Sequence, residues 1–139
     1  MTAMSTEPYF LDSNLLVYLI SGDAGKATRA ERLVLAGGHI SVQVLNEFTA
    51  VARRKYNKPF EEIADVLNLA KECAKSILPV SLEIHERAVQ IAAETGIRIY
   101  DACIVAAAET VGCNVLYTED FNHGQKIGQV SIINPFMAM

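Results

Sequence analysis

The sequence predicts an α/β fold in which a parallel sheet is covered by helices on both faces. Candidate strands and helices alternate along the whole chain, the pattern that joins parallel strands through helical crossovers. The strands read as unbroken apolar runs, as in Tyr9-Phe10-Leu11 and Val115-Leu116-Tyr117, which suits burial on both faces rather than one. Hydrophobic residues make up 51% of the 139 positions and charged ones 20%, so a well-filled core is expected and a disordered chain is not. That length has room for one domain, spanning 1–139, with roughly 65–70% of the unfolded surface buried.

The first strand ends at Asp12, and residues 13–20 follow as an apolar helix stopped by Ser21-Gly22-Asp23-Ala24-Gly25. A second helix covers 26–36 and closes at Gly37-Gly38. His39-Ile40 forms a short strand, after which Ser41 is a good N-cap for a helix to about residue 56. Pro59, at a first-turn position where its missing N–H costs nothing, opens a helix to about residue 75. A strand over 76–80 leads to Ser81, the N-cap of a helix that ends at Thr95 with Gly96 as its stop. An alanine-rich helix over 101–111 is ended by Gly112, and strands over 114–118 and 130–133 follow, separated by a polar loop. In such sheets ligands bind beyond the carboxyl ends of the strands, which favours Asp12 and Glu119-Asp120 over the other acids.

Several chemistries are excluded. Cys73, Cys103 and Cys113 are odd in number and form no C-x-x-C pair, so neither a zinc site nor a disulfide framework is expected, and a reducing cytoplasm is. Residues 1–8 have no basic segment and no apolar stretch of the kind a signal peptide carries. The longest apolar run is seven residues, 102–108, against the ~20 of a spanning helix, so a soluble protein with no membrane association is expected. There is no G-x-G-x-x-G, no P-loop, no G-x-S-x-G and no H-E-x-x-H. Of the three histidines, His123 is the one beside the candidate site, in the loop after Asp120. The net charge is −4 and the pI about 5.3, whereas a protein that grips nucleic acid by phosphate contact alone is usually basic. Either nucleic acid is not the ligand, or something cationic offsets the acids.

Four acids stand in apolar surroundings. Asp12 lies between Tyr9-Phe10-Leu11 and Leu15-Leu16-Val17. Glu47 has Val44 at i−3 and Val51 at i+4, which puts it on or beside the apolar stripe of its helix. Asp101 opens a helix that is apolar on every side until Glu109, and Asp120 lies between Val115-Leu116-Tyr117-Thr118 and Phe121. Taken singly, Asp101 could serve the helix dipole and Glu47 could pair with Arg54. Four buried carboxylates together would each cost several kcal/mol and repel one another, and a hard divalent cation with oxygen ligands resolves both problems.

Phe10-Leu11-Asp12-Ser13-Asn14, Asn46-Glu47-Phe48, Tyr100-Asp101-Ala102 and Thr118-Glu119-Asp120-Phe121 stand in the order and spacing of a PIN domain, which the chain resembles over nearly its whole length. The resemblance implies a three-layer α/β/α sandwich with a central, mainly parallel sheet, and a ribonuclease dependent on one or two Mg²⁺ or Mn²⁺ ions. Asp12, Glu47, Asp101 and Asp120 would be the acidic metal-site residues, with Ser13, Asn14 and Thr118 as polar supports and Glu119 as their neighbour. It further implies a VapC-like toxin of a type II toxin–antitoxin pair, with an antitoxin as partner; the loop 121–125 is longer than in many such toxins. A homodimer is expected as well, since the helices over 41–56 and 59–75 are more apolar than so small a core requires.

Such an ion supplies what phosphodiester hydrolysis needs, an activated water, a neutralised phosphate and a stabilised leaving oxygen, without a protein nucleophile. It also answers the charge puzzle by inverting the local field. Arg53, Arg54 and Lys55, with Lys58, are expected to hold flanking RNA phosphates; the plainer reading is that they complement a helix C-terminus. Competing readings are a phosphoryl-transfer domain, disfavoured because Asn14 stands where a second acid would be wanted, a non-catalytic PIN-like binding module, and a housekeeping RNA-processing nuclease.

Overall fold

Three apolar residues make up each of the strands at the centre of the molecule, and their burial explains the run-like sequence pattern. In the computed structural model, which describes residues 7–137, β1 (Tyr9–Leu11) is buried at every position, and Leu116 of β4 (Val115–Tyr117) is fully enclosed. Between them run α1 (Ser13–Val17), α2 (Ala24–Leu35), β2 (His39–Ser41), α3 (Val42–Arg54), α4 (Phe60–Cys73), β3 (Ser76–Leu78), α5 (Leu82–Thr95) and α6 (Ile99–Thr110); β5 (Lys126–Ile127) and β6 (Val130–Ile133) follow. The sheet order is β3-β2-β1-β4-β6-β5, parallel throughout except for the β5–β6 pair. Helices flank this mainly parallel sheet, as the alternation of elements predicts.

Local signals place most boundaries. Ser41 and Ser81 cap α3 and α5 by accepting from Val44 N and Ile84 N, and Gly96 ends α5 in the left-handed conformation, with φ +77. Helix α6 is apolar on every side because it is covered on every side: Ala102 and residues 104–108 are buried, and the helix touches α5, β2, β4 and β6. Gly38 is required by close approach, since a Cβ there would stand 2.6 Å from the Tyr9 ring.

Most boundaries shift by one to three residues from the sequence reading. Helix α2 starts at Ala24, inside the stretch 21–25 read as the stop of the preceding helix, because Asp23 caps it by accepting from Lys26 N. Three further differences are larger in consequence. Helix α1 stops at Val17 rather than continuing to residue 20, because Leu19 and Ile20 turn to bond Leu16 and Val17 carbonyls three residues back. Helix α6 begins at Ile99, with Arg98 as N-cap, so Asp101 sits inside its first turn instead of at its start. The polar loop contains β5, joined to β6 through Gly128-Gln129 with Gly128 at φ +59, and a Cβ at Gly128 would strike the Glu109 carboxylate that Arg87 holds.

Among the described residues no helix is long and apolar enough to cross a membrane. Residues 1–6, part of the segment read as lacking a signal peptide, lie outside the described residues. The apolar surplus expected of α3 and α4 is small: Val42 and Phe60 are their exposed large apolar side chains, the others being buried or half-buried.

Candidate functional site

The strand order reverses at β1. From it the chain steps outward through β2 to β3, while β4 joins on the other side, so a crevice opens at the carboxyl ends of β1 and β4. Asp12 immediately follows β1, and Thr118-Glu119-Asp120 immediately follow β4. Helix α3 leaves β2 at the same edge, and α6 approaches it with its N-terminal turn because it runs back into β4. Topology therefore delivers Glu47 and Asp101 to the edge where Asp12 and Asp120 stand.

Asp12 is 2% exposed and is itself the N-cap of α1. One carboxylate oxygen accepts from Ser13 N at 2.6 Å and the other from the Thr118 hydroxyl at 2.8 Å. Burial raises its pKa to about 7, the two hydrogen bonds draw it back in part, and the charges of Glu47 and Asp120 raise it again. Thr118, fully buried, is a junction: its hydroxyl also accepts from Asp120 N at 3.0 Å and from Asn14 Nδ2 at 3.2 Å. Asn14 reaches on to Asp120 Oδ2 at 3.4 Å, and its own Oδ1 accepts from Glu119 N at 3.3 Å.

Glu47 is half-buried, as its flanking valines predict. Burial raises its pKa most, hydrogen bonds from Gln43 and Ser13 lower it, and Asp101 and Asp120 raise it. Asp101 is raised by burial and by Asp120 against the lowering effect of Arg98, whose Nε lies 3.3 Å away. Its place in the first turn of α6 also suits the helix dipole, so that simple role and a place beside the other acids coexist. Glu47 makes no ion pair with Arg54 among the described residues. The exposed Asp120 is the common partner, bearing on Asp12, Glu47 and Asp101 alike. Each acid is nevertheless turned to its own hydrogen-bond donor, and among the described residues no three Asp, Glu, His or Cys side chains form a ready cation cage.

Other candidates are placed differently. Glu119 faces away from the acids: Lys26 Nζ lies 2.6 Å from its carboxylate, and the Tyr18 hydroxyl donates to it. Lys26 also sits over the Tyr18 and Phe136 rings, which meet edge to face at 4.9 Å. This clamp holds the peptide before Asp120 and is followed by Phe121 in the left-handed region, at φ +61. Glu119→Ala is expected to lower the melting temperature by about 2–4 °C, and an unchanged calorimetric melt would mean that the clamp contributes nothing to the fold. Arg53 is spent on the Lys58 carbonyl at 2.8 Å and on the Phe60 ring, and Lys55 lies over Tyr56. Arg54 instead lines a groove of about 590 Å³ together with Glu47 and Tyr100. His123 accepts from Asn134 N at 3.0 Å, a loop-closing contact.

Sequence reasoning missed Gln43, Lys26 and Tyr18. Gln43 lies four residues before Glu47 on one helical face, a spacing that would have revealed it. The Lys26–Glu119 pair joins residues 93 apart and had no such signal.

The PIN domain family model matches residues 9–126. Comparison with curated protein sequences finds no match. Similar solved structures include a toxin–antitoxin complex from Klebsiella pneumoniae, at 24% identity and TM-score 0.67, covering 92% of this chain and 98% of that one. VapC20 of Mycobacterium tuberculosis, described as a toxin cleaving the sarcin-ricin loop, aligns at 20% identity and TM-score 0.66 over 82% of this chain and 91% of its own. FitAcB of Neisseria gonorrhoeae aligns at 21% and 0.65, over 93% and 99%. Likeness at these identities concerns the fold, and the family match covers the strands and helices that carry all four acids: the chain belongs to the PIN domain family.

Proposed function

We propose that this protein is a metal-dependent endoribonuclease and the toxin of a type II toxin–antitoxin pair. The observation that carries the reading is the mutual electrostatic influence of Asp12, Glu47, Asp101 and Asp120 at the β1/β4 crevice, three of them with raised pKa values. Carboxylates that disfavour one another's charge form a donor set suited to a hard divalent ion, Mg²⁺ or Mn²⁺. When bound, one or two such ions supply an activated water and positive charge for the phosphate and the leaving oxygen. The protein's own part is to hold the carboxylates: Thr118 and Ser13 orient Asp12, Gln43 orients Glu47, and Asn14 steadies Asp120. No side-chain nucleophile is needed in this scheme.

The test is cleavage of total RNA with Mg²⁺ or Mn²⁺ and again with EDTA. Metal-dependent internal cuts are expected; cutting that continues unchanged in EDTA would overturn the mechanism. The toxin assignment is supported by the neighbour described as a toxin–antitoxin complex, from Klebsiella pneumoniae, and by VapC20 of Mycobacterium tuberculosis, described as a toxin. It implies a cytoplasmic location, a homodimer and a cognate antitoxin, encoded by a small neighbouring reading frame, that binds this chain. Sedimentation as a monomer at tens of micromolar, the range of an ordinary weak interface, would remove the dimer.

A further inference from the structure

The groove beside Glu47 pairs an exposed aromatic ring with an uncommitted guanidinium. Tyr100 is 67% exposed although it directly precedes Asp101. Its carbonyl accepts from Gln43 Nε2 at 2.8 Å, and the same nitrogen reaches Glu47 Oε2 at 3.4 Å. One amide therefore spans from the peptide of Tyr100 to the acidic group, and the backbone that carries the ring is pinned. Arg54 stands seven residues after Glu47, two helical turns along the same face of α3, and lines the same groove. Unlike Arg53 and Lys55, it takes part in no hydrogen bond, ion pair or ring contact among the described residues.

These are the two things a nucleotide offers to bind. A guanidinium matches a phosphate in a fork of hydrogen bonds, and a tyrosine face stacks a base whatever its identity. Arg54 and Glu47 are the charged groups lining the groove, two helical turns apart, so a phosphate is drawn to Arg54 and the chain continues toward the acids. Resting on the ribonuclease reading, we propose that this groove is a nucleotide subsite for single-stranded RNA, in which Arg54 holds a phosphate and Tyr100 stacks the base of a nucleotide flanking the cleaved bond.

The experiment is binding of a short fluorescein-labelled single-stranded RNA, read by anisotropy in EDTA and again in Ca²⁺, from about 50 to about 200 mM KCl. Tyr100→Ala is expected to weaken binding by about fivefold or more with an unchanged salt slope, and Tyr100→Phe to bind like the parent. Arg54→Met is expected to weaken binding and to reduce the salt slope by about one. Melting temperatures, which these exposed positions should leave in place, control for folding. Parental affinity in Tyr100→Ala and Arg54→Met, the result if the groove serves a protein partner, overturns the subsite. So does a parent that cleaves RNA but binds none in either condition. If metal-dependent cleavage is present while Tyr100→Ala binds normally, the subsite falls and the nuclease reading stands; a parent that neither binds nor cleaves RNA removes both.

Discussion

Asp120→Asn is expected to lower metal-dependent RNA cleavage by at least ~10²-fold, the scale at which a lost metal contact of several kcal/mol appears in the rate. Asp120 is the acid whose charge bears on all three others, and it is the exposed one, open to the crevice. Its backbone N–H is held by the Thr118 hydroxyl, a contact that the amide variant keeps, so the loop should stay in place. Initial rates on RNA at saturating Mn²⁺, with a melt of each protein as the folding control, give the answer. A near-parental rate would take Asp120 out of the reacting group and leave Asp12, Glu47 and Asp101 to account for the activity.

The second large effect is on stability. In metal-free protein Asp12→Asn is expected to raise stability at pH 8 and to change it little near pH 4. The Asp12 carboxyl moves from an ordinary 3.8 to about 7, with burial as the largest cause, the Thr118 and Ser13 hydrogen bonds acting against it, and Glu47 and Asp120 adding to it. Between those values the folded protein keeps a proton that the unfolded chain has released. Stability therefore falls as pH rises from about 4 to about 7 and levels off above, by at most ~4 kcal/mol for a shift of this size. An asparagine carries no charge to bury and remains a good N-cap for α1. Urea midpoints of parent and variant across that range should converge at the acid end and separate at the alkaline end. A parent whose stability rises with pH through this window would contradict the assignment. Added Mn²⁺ should oppose the alkaline loss in the parent more than in the variant, because binding favours the ionised carboxylate.

Much of this was legible in the chain because the relevant forces act over a few residues. Ser41 and Ser81 cap helices through the N–H groups three residues on, and Gly96 ends α5 because it adopts a positive φ without strain. Glu47 was readable as half-buried because its valines recur with the helical period. The fold class followed from alternation and from strands apolar at every position.

Short-range pattern could not reach the rest. Strand β5 has two residues, too few to carry a period, and exists because β6 offers it a ladder. Asp101 was readable as a first-turn acid, but the start of α6 at Ile99, which sets it against Arg98, was not, being a choice made where no side chain caps the helix. Glu119 and Asp120 are adjacent and chemically alike, yet Lys26 and Tyr18 hold one while Asn14 and Thr118 steady the other. Arg53, Arg54 and Lys55 are equivalent as a basic run, and packing commits Arg53 to the Lys58 carbonyl and leaves Arg54 open to the groove. Composition and period pointed to four acids in apolar surroundings; in the fold Asp12 is buried, Glu47 and Asp101 are half-buried, and Asp120 is exposed at the crevice. Which of them influence one another, and which neighbours are free to act beside them, was decided by packing. It acts through contacts such as Asp12–Thr118, about a hundred positions apart, and Arg53 on the Lys58 carbonyl, only five apart, whose energies depend on distances that only the folded chain sets.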